Sequence, residues 1–195
     1  MEELEGIVQL AGGAWRNIKR NIIEQRKKES MGDLIGKKIR LNYRIINSYP
    51  WVNAETTPTG VGYGNESARK RIIKMDRAER EIEDHSIIGC YHTHVYERID
   101  KRVYMAKEDK ILLRGLMKNY KLEETVQIIG TVKIKDNSKR KSGEKTTQYK
   151  NKLRITFSDN STSYDVILAA YILNQKLCEK IPIKRRYVRV VAKKE

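Results

Sequence analysis

Two of the three histidines in the chain lie one residue apart, at the end of an apolar run. His92 and His94 close the segment Gly-Cys-Tyr-His-Thr-His at 89–94, which directly follows two isoleucines. This pattern predicts a buried β-strand over residues 86–92. Side chains on a strand alternate between its two faces, so His92 and His94 share a face and can direct their imidazoles at one point. The pair can therefore bind a divalent metal ion, although two histidines at this spacing also occur as surface or packing residues.

The length and composition favour one domain over residues 1–195, because 195 residues suffice for one well-buried core. No apolar stretch approaches the roughly 20 residues that span a bilayer, and we see no secretory signal. Two cysteines indicate reduced thiols rather than a disulfide framework. These features predict a cytoplasmic protein without a membrane association. The net charge of +16 favours acidic partners without choosing among them.

Hydrophobic periodicity predicts helices that alternate irregularly with strands. The predicted helices cover residues 4–28, 65–82, 106–120 and 163–180. The predicted strands cover residues 31–36, 38–48, 86–92, 126–134, 153–157 and 187–191. Loops are expected at 50–64, 95–104 and 136–150, from glycine, proline or charged residues. Together these elements predict an α/β (α+β) fold, with a sheet on which helices pack.

Acidic residues at two element ends are candidates to complete a metal site. A hydrolytic zinc site needs three protein ligands and a base for the water. Asp109 falls in the first turn of the helix predicted at 106–120, and Glu29 stands where the first helix gives way to a strand. Each has a plainer interpretation, since Asp109 complements a helix dipole and Glu29 suits an exposed helix end. Three further acidic residues are rival ligands: Glu97, Asp100 and Glu108.

The order of these motifs resembles the JAMM (MPN+) zinc metalloprotease family, which includes deubiquitinases. The resemblance rests on Glu-Ser-Met-Gly-Asp-Leu-Ile-Gly at 29–36, Gly-Cys-Tyr-His-Thr-His at 89–94, and Asp109 at a helix start. It covers roughly residues 5–135 and implies a curved mixed β-sheet flanked by helices. The chain beyond this core is expected to form a strand–helix–strand extension at about 150–192.

The resemblance also implies a site and a reaction. His92, His94 and Asp109 would bind one zinc ion per chain, and Glu29 would act as the general base on a zinc-bound water. The family cleaves peptide or isopeptide bonds, typically after the Gly-Gly end of a ubiquitin-like protein, and an acidic substrate would suit this basic chain. The family serine that supports the tetrahedral intermediate is Ala106 here. Tyr104 is a conceivable substitute.

Two other functions remain open at this stage. The first is a non-catalytic MPN-type module that binds partners, suggested by Ala106. The second is a basic nucleic-acid-associated protein, suggested by a predicted basic loop at 133–154 that contains a single aromatic residue, Tyr149. The remaining candidates have plainer roles: Cys90 and Cys178 as packed thiols, His85 as a loop residue, and Trp15 and Trp51 as packing residues, with a substrate contact by Trp51 conceivable. The substrate and the oligomeric state are left open.

Overall fold

A mixed β-sheet of nine strands organises the described part of the chain. The computed structural model describes residues 7–26, 28–40, 42–51, 55–57, 60–62, 70–71, 74–75, 77–78, 84–96, 103, 105, 107–136, 143–149, 152–159, 162–174 and 186–192. The strands are β1 (Ile7–Leu10), β2 (Ser30–Ile39), β3 (Asn42–Pro50), β4 (Glu55–Thr57), β5 (Gly60–Gly62), β6 (Ser86–Tyr96), β7 (Glu124–Lys135), β8 (Lys145–Tyr149), β9 (Lys152–Asp159), β10 (Thr162–Asn174) and β11 (Arg186–Ala192). The helices whose bounds the structure describes are α1 (Gly12–Gln25) and α2 (Lys107–Tyr120).

The sheet curls back on itself. Its strand order is β11-β1-β3-β2-β6-β7-β10-β9-β8, and β11 also pairs with β10. Strand β6 runs parallel to β7 and antiparallel to β2, while β4 and β5 form a separate two-stranded sheet. This single α+β domain, a curved mixed sheet flanked by helices, confirms the predicted fold class.

Each face of the sheet is covered by a helix, which gives two apolar clusters. Helix α1 buries Ala14, Ile18 and Ile22 against one face. Helix α2 belongs to the cluster on the other face, to which it contributes Leu113 and Leu116. Burying large aliphatic side chains of this kind stabilises a fold by roughly 1.5–3 kcal/mol each. On β6, Tyr91 belongs to the α1 cluster and Cys90 to the α2 cluster. His92 and His94 alternate with Tyr91 and share the face of Cys90, so they lie on the α2 side of the sheet.

The prediction of a helix at 4–28 is wrong for the first residues of that range. Ile7–Leu10 form strand β1, which runs parallel to β3 and β11, and α1 begins only at Gly12. The apolar residues of 7–10 satisfy both a helical and an alternating pattern, so periodicity alone did not separate them. Pairing with two strands distant in sequence decided the outcome, because it satisfies the backbone of β1 on both edges.

The prediction of a helix at 163–180 is also wrong, because residues 162–174 form the long strand β10. Residues 166–173 are an unbroken apolar run, and they lie in a strand paired on both edges and buried on both faces. Such strands lack alternation and mimic a buried helix in sequence. The described part of the extension is therefore β9, β10 and β11 rather than strand–helix–strand. Residues 175–185, and with them Cys178, lie outside the described residues.

The predicted basic loop at 133–154 contains ordered strands. Its ends belong to β7 and β9, and Lys145–Tyr149 form β8. The loop predicted at 50–64 likewise contains β4 and β5, and that at 95–104 begins inside β6. Of the helix predicted at 65–82, the six described residues are all helical.

The other predicted elements are present with shifted ends. Strands 31–36, 38–48, 86–92, 126–134, 153–157 and 187–191 correspond to β2, β3, β6, β7, β9 and β11. Helix 106–120 corresponds to α2, with Ala106 itself outside the described residues. Among the helices that the structure describes, none is both long and apolar enough to cross a membrane.

Candidate metal centre

Strand β2 and helix α2 both meet strand β6 near the end that carries the two histidines. His92 and His94 point to the same face from β6 itself. Glu29 immediately precedes β2, which is antiparallel to β6 with Ser30 opposite Thr93, so Glu29 comes beside His94. Helix α2 packs on this face and carries Asp109 in its first turn.

Glycines bring the strands of the two motifs close to their neighbours. A Cβ added at Gly89 would overlap the backbone carbonyl of Val126, and one added at Gly36 would overlap that of Arg44. At Gly32 an added Cβ would overlap the carbonyl of Tyr49 and lie 2.6 Å from the Tyr91 ring. These contacts give a packing reason for the glycines of both motifs.

The four predicted site residues form a continuous chain of polar contacts. Glu29 Oε1 lies 2.6 Å from His94 Nδ1. His94 Nε2 lies 3.1 Å from His92 Nε2, which in turn lies 3.2 Å from Asp109 Oδ1. The structure therefore brings together Glu29, His92, His94 and Asp109, as the sequence order predicts.

His92, His94 and Asp109 suit a zinc ion by donor type and by spacing. One ligand atom from each lies within 4.8 Å of the other two. Ligand atoms at zinc–nitrogen and zinc–oxygen distances, arranged tetrahedrally, stand about 3.3 Å apart. His92 Nε2 lies at similar distances from His94 Nε2 and Asp109 Oδ1, 3.1 and 3.2 Å. Two imidazoles and one carboxylate also match the three-ligand sets of catalytic zinc sites, which keep a fourth position open.

Burial makes a bound cation favourable. His92 is 4% exposed, Asp109 8% and Glu29 4%. Two carboxylates removed from water are costly unless a positive charge or hydrogen bonds compensate them. A divalent cation between the imidazoles and Asp109 would supply that compensation.

The pKa values of the two imidazoles move in opposite directions. Burial lowers the pKa of His92 from 6.5 to about 4, with Asp109 opposing this shift and His94 adding to it. Burial also acts to lower the pKa of His94, but the hydrogen bond and charge of Glu29, together with Asp109, raise it overall. His92 is therefore neutral at neutral pH, the form in which a histidine binds a metal.

Each imidazole has a partner on its other ring nitrogen. Glu29 contacts Nδ1 of His94, and Gln127 Nε2 lies 3.1 Å from Nδ1 of His92. Such partners orient metal-binding histidines. The sequence did not single out Gln127, although a polar residue between Val126 and the two isoleucines at 128–129 was a usable signal.

The other candidates fall outside the cluster or outside the described residues. Trp51 is buried, and its Nε1 donates to Asp33 Oδ2 at 2.9 Å, so its role is packing. Cys90 is buried one step deeper on the histidine face, and His85 precedes β6 as predicted. Trp15 is buried in the α1 cluster and donates to Glu144. The positions that lie outside the described side chains are Glu97, Asp100, Tyr104, Ala106 and Glu108.

Comparison with known proteins defines the fold and no more. No family model and no curated protein matches this chain. A solved structure that is similar is the solution structure of protein DSY2949 from Desulfitobacterium hafniense, with a TM-score of 0.52 and 11% sequence identity. The match covers 97% of this chain and 94% of that one. At this identity the similarity establishes a shared fold alone.

Proposed function

We propose that the protein is a zinc-dependent isopeptidase or peptidase of the JAMM type, acting in the cytoplasm on a ubiquitin-like protein or its conjugates. The observation that carries the proposal is the contact chain from Glu29 through His94 and His92 to Asp109. It combines a three-ligand set with an adjacent buried carboxylate, the two parts that hydrolysis at a zinc site requires.

In this proposal the three ligand side chains hold the metal, and Glu29 moves protons. Bound zinc would acidify a water molecule and polarise the scissile carbonyl group. Oε1 of Glu29 accepts the Nδ1 proton of His94, so Oε2 is the oxygen that takes the proton from the water. The same carboxyl group then donates that proton to the leaving amine. Burial of Glu29 keeps bulk water away from this transfer.

The surface beside the site favours an acidic substrate. Strand β7 places Thr131 next to His94, and Lys133 and Lys135 follow on the same face of the sheet. With the net charge of +16, these lysines would attract an acidic protein and speed its encounter with the site.

A second candidate function is a zinc-binding module that holds a partner without cleaving it. Glu29 already contacts His94 with one carboxylate oxygen, a role that serves metal binding as well as catalysis. Alanine at position 106 cannot donate the hydrogen bond of the family serine. Both features suit a site that keeps its metal after losing turnover.

Cleavage assays with zinc-loaded protein separate the two functions. We would incubate wild type and Glu29→Gln, each at saturating zinc, with linear and branched conjugates of ubiquitin-like proteins, and identify products by mass spectrometry. We expect cleavage by wild type and a loss of roughly 10²–10⁴-fold in the variant, the usual contribution of a general base. Glu123→Gln, which changes an exposed carboxylate, should cleave as wild type does.

Two results would contradict the peptidase proposal. Equal cleavage by Glu29→Gln would show that this carboxylate is not the base. Wild type that carries zinc, binds a conjugate and leaves it intact would support the partner-binding module.

A further inference from the structure

We propose that Gln127 is a positioning residue. Its side-chain amide sets the tautomer of His92 and rotates by half a turn when a metal binds. The inference rests on the metal site of the proposed function and extends it to a residue outside the ligand set. The inference predicts a change in metal affinity and not only in catalysis. It can therefore be wrong while the proposed peptidase function is right.

The contacts of His92 define its metal-free tautomer. Gln127 Nε2 lies 3.1 Å from His92 Nδ1, and an amide NH₂ group can only donate. Nδ1 is therefore the acceptor, and the ring proton sits on Nε2. That nitrogen can donate to His94 Nε2 at 3.1 Å, which is free to accept because Glu29 holds the His94 proton on Nδ1. Asp109 Oδ1 also lies 3.2 Å from it, so one tautomer of His92 suits the contacts of both ring nitrogens.

Metal binding demands the opposite tautomer. Nε2 of His92 is the atom that converges with His94 Nε2 and Asp109, so it must present a lone pair to the metal. His92 stays neutral, with its single proton moved from Nε2 to Nδ1. Nδ1–H then needs an acceptor, which the NH₂ group of Gln127 cannot be.

The amide of Gln127 can supply that acceptor by rotating half a turn. Its Oε1 is buried and has no hydrogen-bond partner in the described part of the chain, so the rotation breaks no hydrogen bond made by that oxygen. Gln127 itself is fully buried, so water does not replace it. After rotation Oε1 accepts from His92 Nδ1, as the outer partners of metal-binding histidines do.

Substitutions at 127 separate the donor from the acceptor role. Leucine can do neither, whereas glutamate can only accept. We therefore expect Gln127→Leu to bind zinc roughly 10–100-fold more weakly, the usual effect of losing such a partner. Gln127→Glu should bind zinc at least as tightly as wild type.

A neighbouring residue offers a matched control for the loss of a buried hydrogen bond. Thr125 lies two residues earlier on the same face of β7, is fully buried, and donates from Oγ1 to the carbonyl of Ile88 at 3.2 Å. Thr125→Val removes that bond without touching a metal ligand. Its zinc affinity, measured like the others by competition with a chelator, should equal that of wild type.

Nitrogen-15 NMR of the imidazoles gives a readout that a merely structural role would not change. The chain has only three histidines, so the ring signals can be assigned by substitution. We expect the His92 proton on Nε2 in zinc-free wild type and on Nδ1 in the zinc-loaded protein. In zinc-free Gln127→Glu it should already sit on Nδ1.

The outcomes distinguish this inference from the proposed function. Equal zinc affinity in wild type, Gln127→Leu and Thr125→Val would overturn the role of Gln127 and leave the peptidase proposal intact. An unchanged His92 tautomer on zinc binding would overturn it as well. Wild type that binds no zinc would overturn the metal site and the inference together.

Discussion

Glu29 and His94 are 65 residues apart in sequence, yet Oε1 of one lies 2.6 Å from Nδ1 of the other. The antiparallel pairing of β2 with β6 creates this contact, because it sets Glu29 opposite the end of the histidine strand. By accepting the Nδ1 proton, Glu29 turns Nε2 of His94 toward His92 and Asp109. In the proposed site, one carboxylate would thus both orient a metal-binding histidine and act as the base.

Zinc content should depend on the three ligand side chains. We expect about one zinc per purified wild-type chain, and less than about a tenth of that in His92→Ala, His94→Ala or Asp109→Asn, because two remaining ligands hold zinc weakly. Elemental mass spectrometry measures this directly. His85→Ala removes the third histidine, which lies outside the cluster, and should retain its zinc. Full zinc content in His94→Ala would contradict the assignment.

Removal of the metal should destabilise the folded protein. Zinc at 100 times its dissociation constant adds about 2.7 kcal/mol to the free energy of unfolding, because it binds only the assembled site. A chelator should therefore lower the thermal midpoint of wild type. The midpoint of the His92→Ala/His94→Ala double variant should not respond to the chelator. A response of equal size in both proteins would place the stabilising zinc elsewhere.

The zinc-free protein should lose stability as the pH falls from 6.5 toward 4. The pKa of His92 is about 4 in the folded protein and 6.5 as a reference value, so in this window the unfolded chain binds a proton that the folded protein does not. The contribution of neutral, buried His92 to the free energy of unfolding is fully present above pH 6.5. It falls by up to about 3 kcal/mol as the pH drops below this value.

Denaturant unfolding of wild type and His92→Gln across this window isolates the effect. Other titrating groups are common to both proteins, including His94, whose raised pKa acts in the opposite direction by favouring the folded state below pH 6.5. The variant should show the flatter stability profile. Parallel profiles would contradict burial of a neutral His92.

The glycine at the start of the second motif should not tolerate a side chain. A Cβ at Gly89 would overlap the backbone of the neighbouring strand at Val126. We expect Gly89→Ala to lower the free energy of unfolding by about 2–4 kcal/mol, comparable to other severe packing defects. Gly115 lies in α2 with no atom within 4 Å of an added Cβ, so Gly115→Ala should stabilise by roughly 1 kcal/mol. Equal effects of the two substitutions would contradict the close strand approach.

Cys90 should be unreactive in the folded protein. Burial raises the pKa of its thiol well above 9.0, and the charges of Asp33 and Asp109 add to the shift. In a Cys178→Ser background, we expect Cys90 to react with a disulfide reagent at least about 1,000-fold more slowly in native protein than in denaturant. Rapid native reaction would show that Cys90 is accessible and suited to a chemical role.

Local patterns in the sequence were sufficient to predict several elements and the side chains that meet in the candidate metal centre. The alternation of side chains along a strand is a backbone property, so the shared face of His92 and His94 followed from their spacing alone. The amphipathic pattern of α2 likewise placed Asp109 in a first turn. The order of Glu29, the histidine pair and Asp109 then indicated which residues belong together.

The tertiary structure decided what depends on pairing between distant segments. Strands β1 and β10 carry apolar runs that also fit a helix, and pairing on both edges selected the strand. The partners of the imidazoles are equally non-local, because strand register alone brings Glu29 to His94 and Gln127 to His92. The sequence thus determined which residues share a face, and the tertiary structure determined which faces and strand ends meet. The reason is that the hydrogen-bonded register between distant strands leaves no local periodic signal in the sequence.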